Sequence, residues 1–177
     1  DGILGLYGVQ IPALSVSDSA EIDFDLTPNG SSQQLSISAS GSMAVWGDLT
    51  ISQADRVCIT TDDYPYDSDD TSYDTINGNA VIHAESVLIH NETNGACVRG
   101  DLRAEGTDYL QIINQSETTA ALTGGTYSLK ADYLNMRSYC GPMVDGNITL
   151  SPIENGEYGK FWIDGCTTGD VPVVMGN

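Results

Sequence analysis

Residues 127–133, Tyr-Ser-Leu-Lys-Ala-Asp-Tyr, place an apolar or aromatic side chain at every second position. Successive side chains of an extended strand point to opposite faces of a sheet, so this alternation predicts a strand with one buried and one wet face. The stretch 128–137 also fits one short helix, because Leu129, Tyr133 and Met136 lie near helical spacing.

The same alternation recurs along most of the chain. Residues 20–27, Ala-Glu-Ile-Asp-Phe-Asp-Leu-Thr, are another clear case, and a Pro-Asn-Gly turn follows at 28–30. Gly, Asn and Asp punctuate the gaps at about 8–12-residue intervals, a rhythm typical of antiparallel sandwiches and barrels, and no long internal repeat is evident. The sequence therefore predicts an all-β fold, an antiparallel Ig-like or jelly-roll-like β-sandwich with an extended N-terminal arm.

The chain is strongly acidic. Its 177 residues include 25 Asp and Glu against 6 Lys and Arg, which gives a formal net charge of −19. Such a surface repels phosphate backbones and anionic lipids, so the composition argues against nucleic-acid and membrane-surface partners. No apolar run reaches the ~18–20 residues of a membrane helix, and no membrane span is expected.

The N-terminal segment 2–17 carries no charge, in contrast to the rest of the chain. A helix is disfavoured there because glycine recurs every third residue and Pro12 follows. An extended strand with two mostly apolar faces requires burial on both sides. We therefore expect a donor-strand arm and hinge over residues 1–20 and a β-sandwich body over residues 21–177.

Four cysteines, an even number without the short paired spacing of a zinc site, predict two disulfides. We expect pairing in sequence order, Cys58 with Cys97 and Cys140 with Cys166. Free buried thiols are the alternative. Disulfides in an acidic, Lys-poor chain favour an extracellular or cell-surface location.

Four Asn-x-Ser/Thr sequons give a second indication of compartment, because this tripeptide is the acceptor for N-linked glycan. We expect a glycan on at least one of them. The four acceptors are Asn29, Asn91, Asn114 and Asn147.

Residues 62–74 are too polar for a strand core and predict a long exposed loop. Carboxylate oxygens are hard ligands that suit Ca²⁺, so the loop is a candidate calcium site, although a fully solvated loop fits equally well. No other cofactor is expected. The candidate ligands are Asp62, Asp63, Asp67, Asp69, Asp70 and Asp74.

No catalytic signature is recognisable, and an enzyme is not expected. His83 and His90 have opposite parity and on one strand would face opposite sides, so they do not form a metal pair. The tripeptide Arg99-Gly100-Asp101 matches an integrin-binding motif but lies in a predicted strand. Trp46 and Trp162 form either a sugar-stacking platform or ordinary sheet packing.

The chain resembles subunits of donor-strand-exchange pili and related extracellular fibres. The shared features are an apolar N-terminal arm with a small glycine in it and an all-β body with disulfides. In that family an Ig-like sandwich lacks one strand, which the arm of another subunit supplies. The arm residues that carry the resemblance are Ile3, Leu4, Leu6, Tyr7, Val9 and Ile11.

The resemblance implies a structural subunit of an extracellular filament, a homopolymer assembled by donation of the N-terminal strand to another copy. Two alternatives remain open. One is a secreted carbohydrate-binding or adhesin domain of the same sandwich class, and the other is a secreted hydrolase that uses two carboxylates.

Overall fold

The computed structural model describes residues 4–7, 14–16, 34–39, 45, 47–51, 54, 56–61, 74–153, 160–165 and 174–177. The regular structure in these residues is β throughout. The strands are β1 Leu4–Tyr7, β2 Leu14–Val16, β3 Gln34–Ala39, β4 Leu49–Ile51, β5 Arg56–Thr61, β6 Ala80–His83, β7 Ser86–Asn91, β8 Leu102–Asn114, β9 Leu122–Ser138, β10 Val144–Ser151 and β11 Lys160–Asp164.

Every strand pair that the structure describes is parallel. The chain winds into a β-solenoid, and the part that is described without a break completes about three turns. The predicted antiparallel Ig-like or jelly-roll-like sandwich is therefore wrong, whereas the all-β class is confirmed. Alternation identifies a strand and its buried face, but it does not identify the direction of the neighbouring strand.

Two faces of the solenoid carry the ladders. The seven-strand face consists of β1, β3, β5, β7, the second half of β8, the second half of β9, and β11. The six-strand face consists of β2, β4, β6, the first halves of β8 and β9, and β10. Because β8 and β9 each run through a corner, single strands contribute to both faces.

A line of single bridges closes the turn. Ile76, Val98, Leu122 and Val144 pair in succession, and they lie 22, 24 and 22 residues apart in the sequence. Each turn therefore returns to the same point after nearly the same number of residues. That return supplies the long crossover connection that parallel strands require.

Columns of apolar side chains fill the solenoid. Ile59, Ile89, Ile112 and Met136 stand in register on successive rungs of the seven-strand face, and all four are fully buried. The residues between them on each strand are half-buried on the outer side. The predicted alternation is thus present, and each buried side chain packs against its counterpart one turn away.

The predicted strand at 80–89 is two strands, β6 and β7, which only Ala84 and Glu85 separate. A two-residue connection usually joins antiparallel partners. Here it makes a corner instead: the carbonyl of Glu85 accepts hydrogen bonds from the amides of Asp108 and Tyr109, at 2.7 and 3.2 Å, on the next turn. The stretch 128–137 belongs to β9 and is not helical.

Candidate functional site

Strand β11 forms the C-terminal edge of the seven-strand face. Its residues pair with β9 from Lys160 opposite Tyr133 to Asp164 opposite Arg137. Among the described residues, no strand pairs with the other edge of β11. Such an edge presents unpaired backbone N–H and C=O groups that can accept a further strand.

The side chains of β11 are apolar and exposed: Phe161 is 41%, Trp162 63% and Ile163 50% accessible. In register beneath Phe161 and Ile163 lie Leu134 and Met136, which are at most 1% accessible. The same two core columns are therefore buried on one rung and half exposed on the next. This difference marks an end of the core that no described residue covers.

Further residues surround this end. Met175 is 42% exposed and follows Val174, which bridges to Val144. At the side of β11, the carboxylate of Asp164 lies 3.9 Å from Nε of Arg137. An apolar centre with a charged rim is the usual composition of a protein interface. We call Phe161–Ile163 together with Met175 the open end.

Strand β1 forms the opposite edge of the same face. It pairs with β3, with Leu4 opposite Leu35 and Leu6 opposite Ile37. Of the predicted donor residues, Leu4, Leu6 and Tyr7 lie in β1, whereas Ile3, Val9 and Ile11 lie outside the described residues.

The described parts of the arm are thus the first rungs of the chain's own solenoid, since β2 also pairs with the chain's own strand β4. The prediction that this arm leaves its domain does not describe the arrangement in the structure. Its remaining residues and the hinge lie outside the described part of the chain.

Buried polar side chains form a ladder at the end of the seven-strand face. Thr61, Asn91, Asn114 and Ser138 are in register on successive rungs. The hydroxyl of Thr61 donates to Oδ1 of Asn91 at 2.6 Å, and Nδ2 of Asn91 donates to Oδ1 of Asn114 at 2.8 Å. The amide of Asn114 then donates to the carbonyls of Ser116 and Pro142. This ladder satisfies polar groups that would otherwise be costly to bury.

The four predicted glycosylation sites fall in different surroundings. Asn91 and Asn114 belong to the ladder and are fully buried, so a glycan on either amide is incompatible with these hydrogen bonds. Asn147 is exposed on β10, where its Oδ1 accepts a hydrogen bond from the amide of Asn177 at 3.2 Å. Asn29 lies outside the described residues.

One member of the acidic loop is described. Asp74 accepts hydrogen bonds from the guanidinium of Arg99 and, at 2.8 Å, from the amide of Ala96. This ion pair raises the pKa of Arg99. Among the described residues no cluster of His, Cys, Asp or Glu is placed to hold a metal ion. The other candidate ligands, Asp62, Asp63, Asp67, Asp69 and Asp70, lie outside them.

The tripeptide Arg99-Gly100-Asp101 has structural contacts at each residue. Arg99 is paired with Asp74, and Oδ1 of Asp101 accepts a hydrogen bond from the amide of Thr126 at 2.7 Å. A Cβ on Gly100 would lie 2.5 Å from the carbonyl oxygen of Gly78 on the neighbouring turn. These contacts account for all three residues without an integrin.

The tripeptide is in fact one copy of a repeat, an apolar residue, any residue, Gly, and Asp or Asn, that the sequence reasoning missed. The side-chain oxygens accept hydrogen bonds from the next turn: Asp48 from the amide of Asn79, and Asn79 from the amide of Asp101. The spacing of this motif was the signal for a solenoid. Its copies begin at Val45, Ile76, Val98 and Val144, and Val174 begins another.

The described cysteines are free thiols. Cys97 is buried in the core, where burial raises its pKa, whereas Cys58 is half-buried on the opposite side of β5 from core residues Val57 and Ile59. The predicted Cys58–Cys97 bond is not present in this arrangement. Cys140 is half-buried, and its expected partner Cys166 lies outside the described residues, so that pairing stays a prediction.

The two histidines lie on different strands, His83 on β6 and His90 on β7, and both are half-buried. Nδ1 of His90 lies 3.0 Å from the carboxylate of Glu92, and its Nε2 lies 2.9 Å from the amide of Gln115. They do not form a pair, in keeping with the sequence analysis. Trp46 lies outside the described residues.

Two comparisons concern membranes and relatives. None of the described residues forms a helix that is long and apolar enough to cross a membrane. No protein-family model matches the chain, and no curated protein sequence or solved structure shows significant similarity to it.

Proposed function

We propose that this protein is a structural subunit of an extracellular filament, in which successive copies stack end to end along the solenoid axis. The single observation that carries the proposal is the open end. Phe161 and Ile163 occupy core columns of the solenoid, yet they are 41% and 50% exposed on an edge strand.

The geometry of the solenoid favours an open chain of copies over a closed ring or dimer. Its two ends are different surfaces, because all described strands run parallel and the rungs succeed one another in one direction. Contact between unlike ends is heterologous, and a heterologous contact without closing rotation generates a filament.

The energies suit reversible assembly. Covering the remaining exposed surface of Phe161, Trp162 and Ile163 contributes roughly 3 kcal/mol, at ~1.5–3 kcal/mol for each fully buried side chain. Each ladder hydrogen bond adds about 0.5–1.5 kcal/mol net. Association costs at least ~4 kcal/mol, so the ladder and the apolar contact are needed together. We therefore expect filaments to form above a critical concentration.

Charge opposes this stacking. Each copy carries −19, so copies repel one another at low ionic strength. The Debye length falls from ~30 Å at 0.01 M salt to ~8 Å at 0.15 M, which removes most of that repulsion. Filaments should consequently form more readily at moderate salt. The acidic, Lys-poor composition also supports the proposed extracellular setting.

Sedimentation velocity and negative-stain microscopy over a concentration series, at low and moderate salt, test the proposal. We expect unbranched filaments at moderate salt whose width matches one solenoid. A chain that stays monomeric over the whole series at both salt concentrations would refute the filament function.

A second candidate is carbohydrate binding by an adhesin-like surface. The observation in its favour is the ring pair of Tyr109 and Tyr133 on the outer side of the seven-strand face. Their centroids lie 5.1 Å apart at an angle of 15°, and both side chains are half-buried. Glycan-array binding that is lost in a Tyr133→Ala variant would support this function.

A further inference from the structure

We infer that the contact between two stacked copies is a parallel strand pair, formed by β11 of one copy and β1 of the next. In this register Phe161 meets Leu4 of the next copy and Ile163 meets its Leu6. The inference rests on the proposed function, because it names the surfaces that meet when copies stack.

The two strands are the outer strands of one continuous ladder. The seven-strand face begins with β1 and ends with β11, and each is paired on only one side among the described residues. β1 therefore keeps its bond to β3 while its second edge stays available. The N-terminal strand still joins copies, as in the donor-strand expectation, but it does so without leaving its own fold.

The core columns define the register. One column contains Leu4, Leu35, Val57, Val87, Leu110, Leu134 and Phe161, and the adjacent column contains Leu6, Ile37, Ile59, Ile89, Ile112, Met136 and Ile163. Placing β1 above β11 continues both columns with leucine. A slip by one residue would bring apolar columns to the outer face, which disfavours other registers.

The outer position between these columns is also complementary. Trp162 is 63% exposed, and in the inferred register its neighbour on the next copy is Gly5. A glycine carries no side chain, so the indole ring has room to lie across the neighbouring strand. A large residue at that position would compete with Trp162 for the same space.

The charges agree with this contact. Strand β1 reads Leu-Gly-Leu-Tyr and lies in the uncharged segment 2–17 of a chain at −19. It is thus the part of an acidic protein that adds no charge repulsion of its own when it approaches a second copy. Lys160 and Asp164, one of each sign, flank the apolar centre of β11.

A zero-length cross-link tests the register. Asp164 should meet position 7 of the next copy, so a Tyr7→Lys variant should form an amide with Asp164 under a carbodiimide. Within one chain the two positions lie six strand spacings apart, or about 29 Å at ~4.8 Å each, so the link must join two copies. Val81→Lys, which places a lysine on the outer side of the central strand β6, is the matched control.

Emission from Trp162 in a Trp46→Phe variant is the second measurement, and it leaves the interface unaltered. It should shift to shorter wavelength on assembly as the exposed indole becomes covered. Filaments that show neither the amide-linked peptide nor this shift would overturn the inferred contact and leave the filament function standing. An absence of filaments from the unaltered chain would refute both.

One other occupant is possible for the open end, namely a segment of the same chain. In that case the emission of Trp162 would already lie at short wavelength in dilute monomer and would not change with concentration. That result would overturn the inference. If Tyr7→Lys fails to assemble, the emission measurement alone decides between the two occupants.

Discussion

Asn91 and Asn114 are hydrogen-bonded to each other inside the solenoid, with Nδ2 of Asn91 donating to Oδ1 of Asn114 over 2.8 Å. Both side chains are fully buried. They are 23 residues apart in sequence and in register on adjacent rungs of the seven-strand face. The bond therefore joins two turns directly, and it holds them at one register because a shifted rung would leave both amides unpaired.

We predict that Asn114→Ala destabilises the fold by about 3 kcal/mol or more. The substitution removes the acceptor of the Asn91 amide and the donors to the carbonyls of Ser116 and Pro142. Each buried polar group left unpaired costs about 1–3 kcal/mol. Urea unfolding followed by circular dichroism measures the change.

Asn147→Ala is the control for that measurement. The exposed side chain of Asn147 makes a hydrogen bond to the amide of Asn177, and its loss should change stability by no more than ~0.5 kcal/mol. Equal losses in the two variants would show that the buried ladder contributes nothing special.

The same ladder restricts glycosylation. On material from the native source we expect glycan at Asn147 or Asn29 and none at Asn91 or Asn114, whose amides are committed to hydrogen bonds in the core. Glycopeptide mapping measures occupancy site by site. A glycan found at Asn114 would contradict the ladder, because its amide nitrogen has no room for a sugar.

We predict that Gly100→Ala destabilises the solenoid by about 1–3 kcal/mol. A Cβ at this position would lie 2.5 Å from the carbonyl oxygen of Gly78, so two turns must move apart. Asp101→Ala is the matched control, since it removes an exposed hydrogen bond to the amide of Thr126 without crowding. Thermal unfolding should rank Gly100→Ala below Asp101→Ala, and the reverse order would exclude close contact between the turns.

How far the sequence predicts this fold follows from these residues. Alternation at 127–133 correctly predicted a strand with buried Leu129 and Ala131, because side-chain parity is a property of the strand itself. The partner of that strand is not local. The register between Tyr127 and Leu102 arises from the winding of the chain, so antiparallel and parallel arrangements fit one pattern equally well.

The polar residues were misinterpreted for a related reason. A sequon needs three consecutive residues, and Asn114-Gln-Ser fits it, whereas the ladder depends on a second asparagine 23 residues away. The Gly-Asp and Gly-Asn corners would have revealed the turns. Their spacing varies between 22 and 31 residues, from Val45 to Ile76 and from Ile76 to Val98, and that variation concealed the repeat.

We predict a loss of stability at alkaline pH that depends on Tyr127. Burial raises the pKa of this phenol to about 12. In the unfolded chain it ionises near pH 10, so between pH 10 and 12 the folded state holds a proton that the unfolded state has lost. Stability should therefore fall through this window, by on the order of 2–3 kcal/mol in total.

Unfolding measured at several pH values from 8 to 12 checks this dependence. Tyr127→Phe should flatten the curve above pH 10 and lower stability at pH 8 by about 1 kcal/mol, because the amide of Gly125 loses its hydrogen bond to the hydroxyl. Tyr139→Phe is the control, since Tyr139 is 44% exposed and should leave the alkaline slope unchanged. The same slope in all three proteins would assign the alkaline loss to other groups.

The last prediction concerns the open end. Ile163→Asp should raise the critical concentration for filament formation at least tenfold, since stacking would bury an unpaired carboxylate beside the apolar columns. Tenfold corresponds to ~1.4 kcal/mol at the interface. Val81→Asp adds the same charge on the outer side of central strand β6 and is the matched control. Pelleting over a concentration series gives both values. Because Ile163 is already half exposed, we expect little change in the unfolding of the monomer. Assembly of Ile163→Asp at the concentration at which the control assembles would show that β11 lies outside the contact between copies.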